Sequence, residues 1–167
     1  MLNLIEYKTI NQLEIFGENS TRLKKEIKKA IKLKDNRSYI KSYLANDIEK
    51  IKKLYSSLGY NSTKVEAKIR ELDNNNVDLV LQIEKGNITK ISSIKFIGDK
   101  KVRDKRLRDV IASEENKFWK FISRNTKFNE DLVKLDLRLL TNYYRSIGYY
   151  KVQVSSKTAN LNEDGNI

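Results

Sequence analysis

The side chains available for chemistry in this 167-residue chain are carboxylates, hydroxyls and amines, because histidine and cysteine are both absent. Their absence removes thiolate nucleophiles, disulfide frameworks, zinc fingers, imidazole metal ligands and histidine-based acid–base catalysis together. The carboxylates Glu114 and Glu115 are adjacent but unpatterned, and they read as solvated surface groups. The serines and threonines have no histidine to activate them, and no Gly-x-Gly-x-x-Gly or Walker loop offers a cradle for phosphate. No catalytic residue, metal ligand or cofactor site is assigned, so the chain reads as a non-enzyme. What remains is the chemistry of the main chain, N–H and C=O groups on the edge of a sheet too small to hide them.

Nucleic-acid chemistry is weakly represented. Gly17-Glu18-Asn19-Ser20 and Gly98-Asp99-Lys100-Lys101 are not the Gly-x-x-Gly clamp of a KH domain, and no aromatic RNP strand is present. The formal charge of +12 is compatible with nucleic acid or acidic lipid. A Lys-rich, Asn- and Ile-rich composition without proline explains the charge more simply, as that of an AT-rich genome, so no nucleic-acid partner is expected. No apolar run approaches the roughly 18 residues of a spanning helix, and Met1-Leu2-Asn3-Leu4-Ile5 meets Glu6 too soon for a signal peptide.

The elements that would present such an edge occur twice. Leu44, Ile48, Ile51, Tyr55 and Leu58 lead into Gly59-Tyr60, and 89 residues later Val133, Leu137, Leu140, Tyr144 and Ile147 lead into Gly148-Tyr149. Each set is one face of a helix closed by a glycine cap and an aromatic. A period carrying such detail means two copies of one small domain of about 80 residues.

Each copy opens on a strand, Thr9 to Phe16 or Lys90 to Ile97, ended by Gly17-Glu18 or Gly98-Asp99. A first helix follows, from near Ser20 to Ile31 or near Val102 to Ala112, with a narrow apolar stripe and a Lys-rich remainder. After the second helix comes a strand of period two, Val65-x-Ala67-x-Ile69 or Tyr150-x-Val152-x-Val154, spanning Thr63 to Leu72 or Tyr150 to Asn160. Asp73-Asn74-Asn75-Asn76 then turns the first copy into a closing strand, Val77 to Glu84, whose Val77, Leu79, Leu81 and Ile83 face must be buried. The fold class is therefore α+β, two tandem β-α-α-β-β modules, each a small three-stranded mixed sheet covered on one face by two helices.

The copies differ in two places. Between its helices the second carries roughly ten extra residues, including Phe118-Trp119-Lys120-Phe121. Phe118, Trp119 and Phe121 suit either a docking anchor or a flap folded back over their own core. The second copy also reaches only Ile167, the first residue of its closing strand, while Leu2 to Glu6 resemble the closing strand of an earlier module. The organisation read from the sequence is thus a remnant strand at 1–6, a module at 7–87 and a module at 88–167 lacking its last strand, a piece of a longer array. Glu84, Lys85, Gly86 and Asn87 form the inter-module junction, and Tyr55, Tyr60, Tyr144 and Tyr149 take core-facing or capping positions. The exposed edge is expected on the hairpin strand, at Tyr150, Val152 and Val154 with Lys151 and Gln153 between them. The outward Lys64, Glu66, Lys68 and Arg70 of the first copy are charged, as an unpaired edge requires.

These motifs resemble POTRA domains: strand-Gly before the first helix, Tyr-x-Ser-x-Gly-Tyr closing the second, and Val77-Asp-Leu-x-Leu-x-Ile83-x-Lys-Gly86 in the last strand. The likeness covers nearly the whole chain and is nearest to the POTRA arrays of BamA-type outer-membrane assembly factors, with 7–87 like the second module and 88–167 like the third. Lys8 stands where the family often has proline. The resemblance implies a non-enzymatic role in the periplasm, tethered to the outer membrane through a C-terminal membrane barrel of the same parent chain. It implies unfolded outer-membrane protein segments as clients, taken partly by strand addition, and accessory lipoproteins as partners. An array of another transporter, for two-partner secretion or autotransporter assembly, shares the fold, and a basic nucleic-acid-binding tandem repeat is the reading from a different class.

Overall fold

Strand, helix, helix, strand, strand is the element order of the first half of the chain in a computed structural model that describes residues 7–98, 101–117, 124–156 and 166–167. Its elements are β1 (Thr9–Phe16), α1 (Thr21–Ala30), α2 (Lys41–Ser57), β2 (Lys64–Leu72) and β3 (Asn76–Glu84). The second half contributes α3 (Asp104–Val110), one 3-10 turn at Arg124–Thr126 and α4 (Glu130–Ser146). Contacts divide the chain into two units. One holds the described residues up to Tyr55 with Ser62–Gly86, and the other holds Ser56–Asn61 with the described residues from Asn87 to Ile167.

In the first unit the sheet runs β1-β3-β2, with β3 parallel to β1 and antiparallel to β2. The hairpin between β2 and β3 turns where the sequence places it. Asn74 and Asn75 take φ of 58° and 57°, left-handed backbone that asparagine tolerates better than any residue but glycine. The central strand supplies the core: Val77, Leu79, Leu81 and Ile83 are all buried, against Ile10, Leu13 and Ile15 of β1, Ile27 of α1, and Ile51 and Tyr55 of α2. Burying each such side chain contributes about 1.5–3 kcal/mol, so β3 alone matches the roughly 5–15 kcal/mol of net stability of a domain. On the other face Asp78 accepts from Asn11 Nδ2 at 2.8 Å and from Arg70 at 2.5 Å, which keeps that face polar.

Gly17 ends β1 with φ of 81°, and a Cβ there would stand 1.9 Å from the carbonyl oxygen of Ile83. The chain can leave β1 only as glycine, because the exit turn lies directly on the end of β3.

The second unit repeats the helices but corrects two strand expectations. Lys90 forms one isolated bridge, and Ile91–Ile97 are not in a ladder. Tyr150–Ser156 run as turn and irregular backbone, while 157–160 lie outside the described residues. A strand is held by its neighbours, and among the described residues it is Ile167 that pairs with this segment on the side β3 takes in the first unit. The Ile167 N–H donates to the Lys90 carbonyl at 2.9 Å, and the Ser92 N–H donates to the Ile167 carbonyl. This is the pairing that sets Ile10 against Val77 in the first unit. A cavity of about 680 Å³ adjoins it, bordered by Ile94, Leu107, Leu137, Leu140, Tyr144 and Ile167. Tyr149, expected at a core-facing or capping position, is exposed and meets Tyr144 edge-on with ring centres 5.9 Å apart.

Candidate functional site

A three-stranded sheet has two edges, and the first unit closes one of them. Along the free side of β1 the segment between the helices acts as a substitute strand. Ile10 N–H donates to the Arg37 carbonyl at 2.8 Å, Asn36 N–H to the Ile10 carbonyl at 2.7 Å, and Tyr39 N–H to the Lys8 carbonyl at 2.7 Å. The Asp35 carboxylate takes the Leu13 N–H at 2.5 Å. The second unit repeats the device atom for atom. Ile91 N–H donates to Thr126, Asn116 N–H to Ile91 and Phe128 N–H to Thr89, at 2.8, 2.7 and 2.8 Å. Glu115 takes the Ile94 N–H at 3.0 Å. That hydrogen bond, helped by Arg108, outweighs the cost of partial burial and holds the Glu115 carboxyl below the ordinary glutamate range. Glu115 is therefore a strand-edge plug rather than an idle surface acid.

The other edge is open. β2 pairs with β3 from Lys64 opposite Glu84 to Leu72 opposite Asn76, and among the described residues nothing pairs with the main chain on its outer side. Lys64, Glu66, Lys68 and Arg70 are exposed along it, and Ile69 is also exposed, at 43%. Charged residues at every second position deter the flat association of two such edges while leaving the backbone available to a guest strand.

One end of this edge is fixed by a buried carboxylate. Glu18, which follows Gly17, accepts from the Tyr55 hydroxyl, from the Ser20 N–H at 2.7 Å and from Lys85 Nζ at 3.1 Å. Burial alone would raise the Glu18 carboxyl, but those three donors and the Lys85 charge together hold it below its usual range. Lys85 follows β3 directly, and its carbonyl takes the Thr63 hydroxyl at 3.0 Å just before β2. Gly86 then turns with φ of 68°, where a Cβ would meet Ser62 Oγ at 2.4 Å. Of the four junction residues, Glu84 ends β3, Lys85 holds Glu18, Gly86 makes the turn and Asn87 is exposed.

The residues nominated in the second copy lie elsewhere. Tyr150 is 77% exposed, Lys151 and Gln153 are exposed, and Val152 and Val154 are half-buried on the wall of the 680 Å³ cavity. Phe118, Trp119 and Phe121 lie outside the described residues. Sequence reasoning passed over Asp47 and Asp136. Asp47 takes the Lys32 and Leu33 N–H groups at 2.8 Å each, and Asp136 takes those of Ala112 and Ser113 at 2.7 and 3.2 Å. Each buried acid on a second helix satisfies the backbone leaving a first helix. The signal was present: an aspartate recurring at the 89-residue period, four residues before Ile51 or Leu140 on the apolar face.

Comparison with known proteins agrees with this geometry. The chain is 26% identical over 167 residues to the outer membrane protein assembly factor BamA of Neisseria meningitidis, covering 98% of this chain and 21% of that protein. It thus spans about a fifth of the length of that relative. BamA from Haemophilus ducreyi lacking POTRA domains 1-3 shares the fold with a TM-score of 0.60 at 20% identity, over 95% of this chain and 27% of that one. POTRA1-2 of the periplasmic domain of Omp85 from Anabaena superposes with a TM-score of 0.59 at 14% identity, over 96% and 92%. The profile of the POTRA family, described as a surface antigen variable number repeat, matches residues 8–86 and again 89–167. With both modules matched and the three-stranded mixed sheet and paired helices in place, the chain belongs to the POTRA family.

Proposed function

We propose that the chain is a periplasmic POTRA pair of an outer-membrane β-barrel assembly factor, and that it receives unfolded outer-membrane protein segments as an added strand on β2. The chain is a scaffold and not an enzyme, as befits its family. The observation that carries the reading is the asymmetry of the sheet: the β1 edge is covered by the chain itself, whereas the nine-residue edge of β2 is left open. Main-chain pairing gives affinity without demanding a particular sequence, which suits a receiver of many clients. By the repeat, Tyr150–Val154 are proposed to serve as the corresponding edge of the second module, and Phe118, Trp119 and Phe121 as a docking anchor for an accessory lipoprotein.

Backbone-methylated peptides test the reading without touching the protein. An extended peptide of alternating apolar and polar residues should shift the amide resonances of Lys64–Leu72. Methylating its alternate backbone nitrogens, in both registers, should abolish the shifts in one register. Shuffling residues of like polarity should leave them. Equal binding by both methylated peptides, or shifts confined to residues outside β2, would overturn the proposal.

A further inference from the structure

The positive charge of the first module is not scattered. From Thr21 to Lys34 the chain carries Arg22, Lys24, Lys25, Lys28, Lys29, Lys32 and Lys34 against one acid, Glu26. The acids nearest in the fold are already engaged. Glu18 is taken by Tyr55, Ser20 and Lys85, Asp35 by the Leu13 N–H, and Asp47 by the end of α1. Glu26 pairs with Lys29, at 3.4 Å.

The arrangement of these charges follows helix stability at one end of α1 and not at the other: Lys28 and Lys29 lie in the last turn, whereas Arg22, Lys24 and Lys25 lie toward the first. Anions favour the first turn of a helix and cations the last. α3 and α4 comply, with Asp104 or Glu130 and Asp131 at their starts and Arg108 or Arg145 at their ends. α1 has no acid in its first turn, and Arg22, Lys24 and Lys25 crowd its N-terminal half. With Ile27 buried, successive steps of about 100° put Lys24, Lys28, Lys25, Lys29 and Arg22 in one outward arc of roughly 160°, along a helix about 15 Å long. Apart from Lys24, which is partly covered, these side chains are exposed.

From this concentration we infer that the outer face of α1 rests on an anionic lipid surface, its lysines lying among the phosphate head groups. A bilayer offers a flat field of phosphates, which a convex arc on one helix meets without a groove. Single-stranded nucleic acid is bound through grooves with free aromatic platforms, and the ring beside this patch, Tyr43, has Lys32 Nζ over its face at 4.8 Å. The inference rests on the proposed function only in placing the chain beside a membrane, and the surface it uses is separate from the β2 edge.

Vesicle sedimentation with the 167-residue chain provides the test. Vesicles of phosphatidylcholine containing phosphatidylglycerol should bind the chain, and pure phosphatidylcholine should not. Lys25→Gln, Lys28→Gln and Lys29→Gln together should lower the partition coefficient roughly 100-fold, at about fivefold for each charge removed. The same change at Lys53, Lys95 and Lys105, exposed positions outside α1, should cost far less. Binding to neutral vesicles as strong as to anionic ones would overturn the inference. So would equal losses in the two triple variants, or displacement from vesicles by single-stranded DNA at matched phosphate. The peptide titration on β2, run on the same variant, keeps the two readings apart: it should be unchanged, whichever way the vesicle result falls.

Discussion

The carboxylate of Asp47 accepts the backbone N–H of Leu33 at 2.8 Å, so an acid buried on the second helix closes the backbone that leaves the first. Asp136 repeats the relationship with Ala112 and Ser113. An aspartate on an apolar face would ordinarily be costly, and here two N–H donors offset the cost, that of Leu33 being itself buried.

Asp47→Ala removes a charged acceptor from two N–H donors, one of them buried. Its expected cost is about 1.5–3 kcal/mol, seen as a lower urea midpoint followed by circular dichroism. Asp47→Asn, which keeps one carbonyl oxygen, should lose less than Asp47→Ala. An unchanged midpoint for the alanine variant would show that the pairing is dispensable.

Glu18 predicts an acid-side loss of stability. Its carboxyl is held below the 4.5 of a free glutamate, so the unfolded chain takes up a proton first as pH falls. The stabilisation is complete above 4.5 and is lost as pH falls from there through the lowered value of the folded state. Comparing urea midpoints of wild type and Glu18→Gln across pH should show the two curves converging only on the acid side. Parallel curves throughout would mean that Glu18 is not the titrating group.

Gly17→Ala should destabilise the first unit by at least about 2 kcal/mol, since it combines left-handed backbone with a backbone clash. The new Cβ would stand 1.9 Å from the Ile83 carbonyl oxygen, which cannot move without pulling β3. Gly98 and Gly148 also have positive φ but nothing within 4 Å of an added Cβ, so alanine there should cost only the backbone strain. Thermal melts of the three variants give the comparison, and a Gly17→Ala melt no lower than the other two would contradict it.

Hydrogen exchange should separate the two first strands. The amides of Thr9–Phe16 lie between β3 and the inter-helix segment, whereas among the described residues those of Ile91–Ile97 find partners at Ile91, Ser92 and Ile94. Slow exchange is therefore expected across β1, and at those three positions alone within Ile91–Ile97. Uniform protection of Ile91–Ile97 would show that a full ladder forms there.

The sequence by itself determined the repeat, the element order of the first module, the turn at Asn74 and Asn75 and the buried face of β3. Each follows from local periodicity and from backbone conformations that only a few residue types accept. It also excluded histidine and cysteine chemistry outright. Only the tertiary structure showed how the β1 edge is closed, because the plugging of β1 by Arg37, Tyr39 and Asp35 depends on a loop with no periodic signature folding back along a distant strand. It likewise decided that Tyr150–Val154 do not form a ladder, although their alternation is that of a strand. Alternation reports which face a residue would show if paired, whereas a strand exists only where a neighbouring chain supplies the hydrogen bonds. The same holds for Asp47 and Glu18: their charge is visible in the sequence, but the donors that make burial favourable come from elsewhere in the fold.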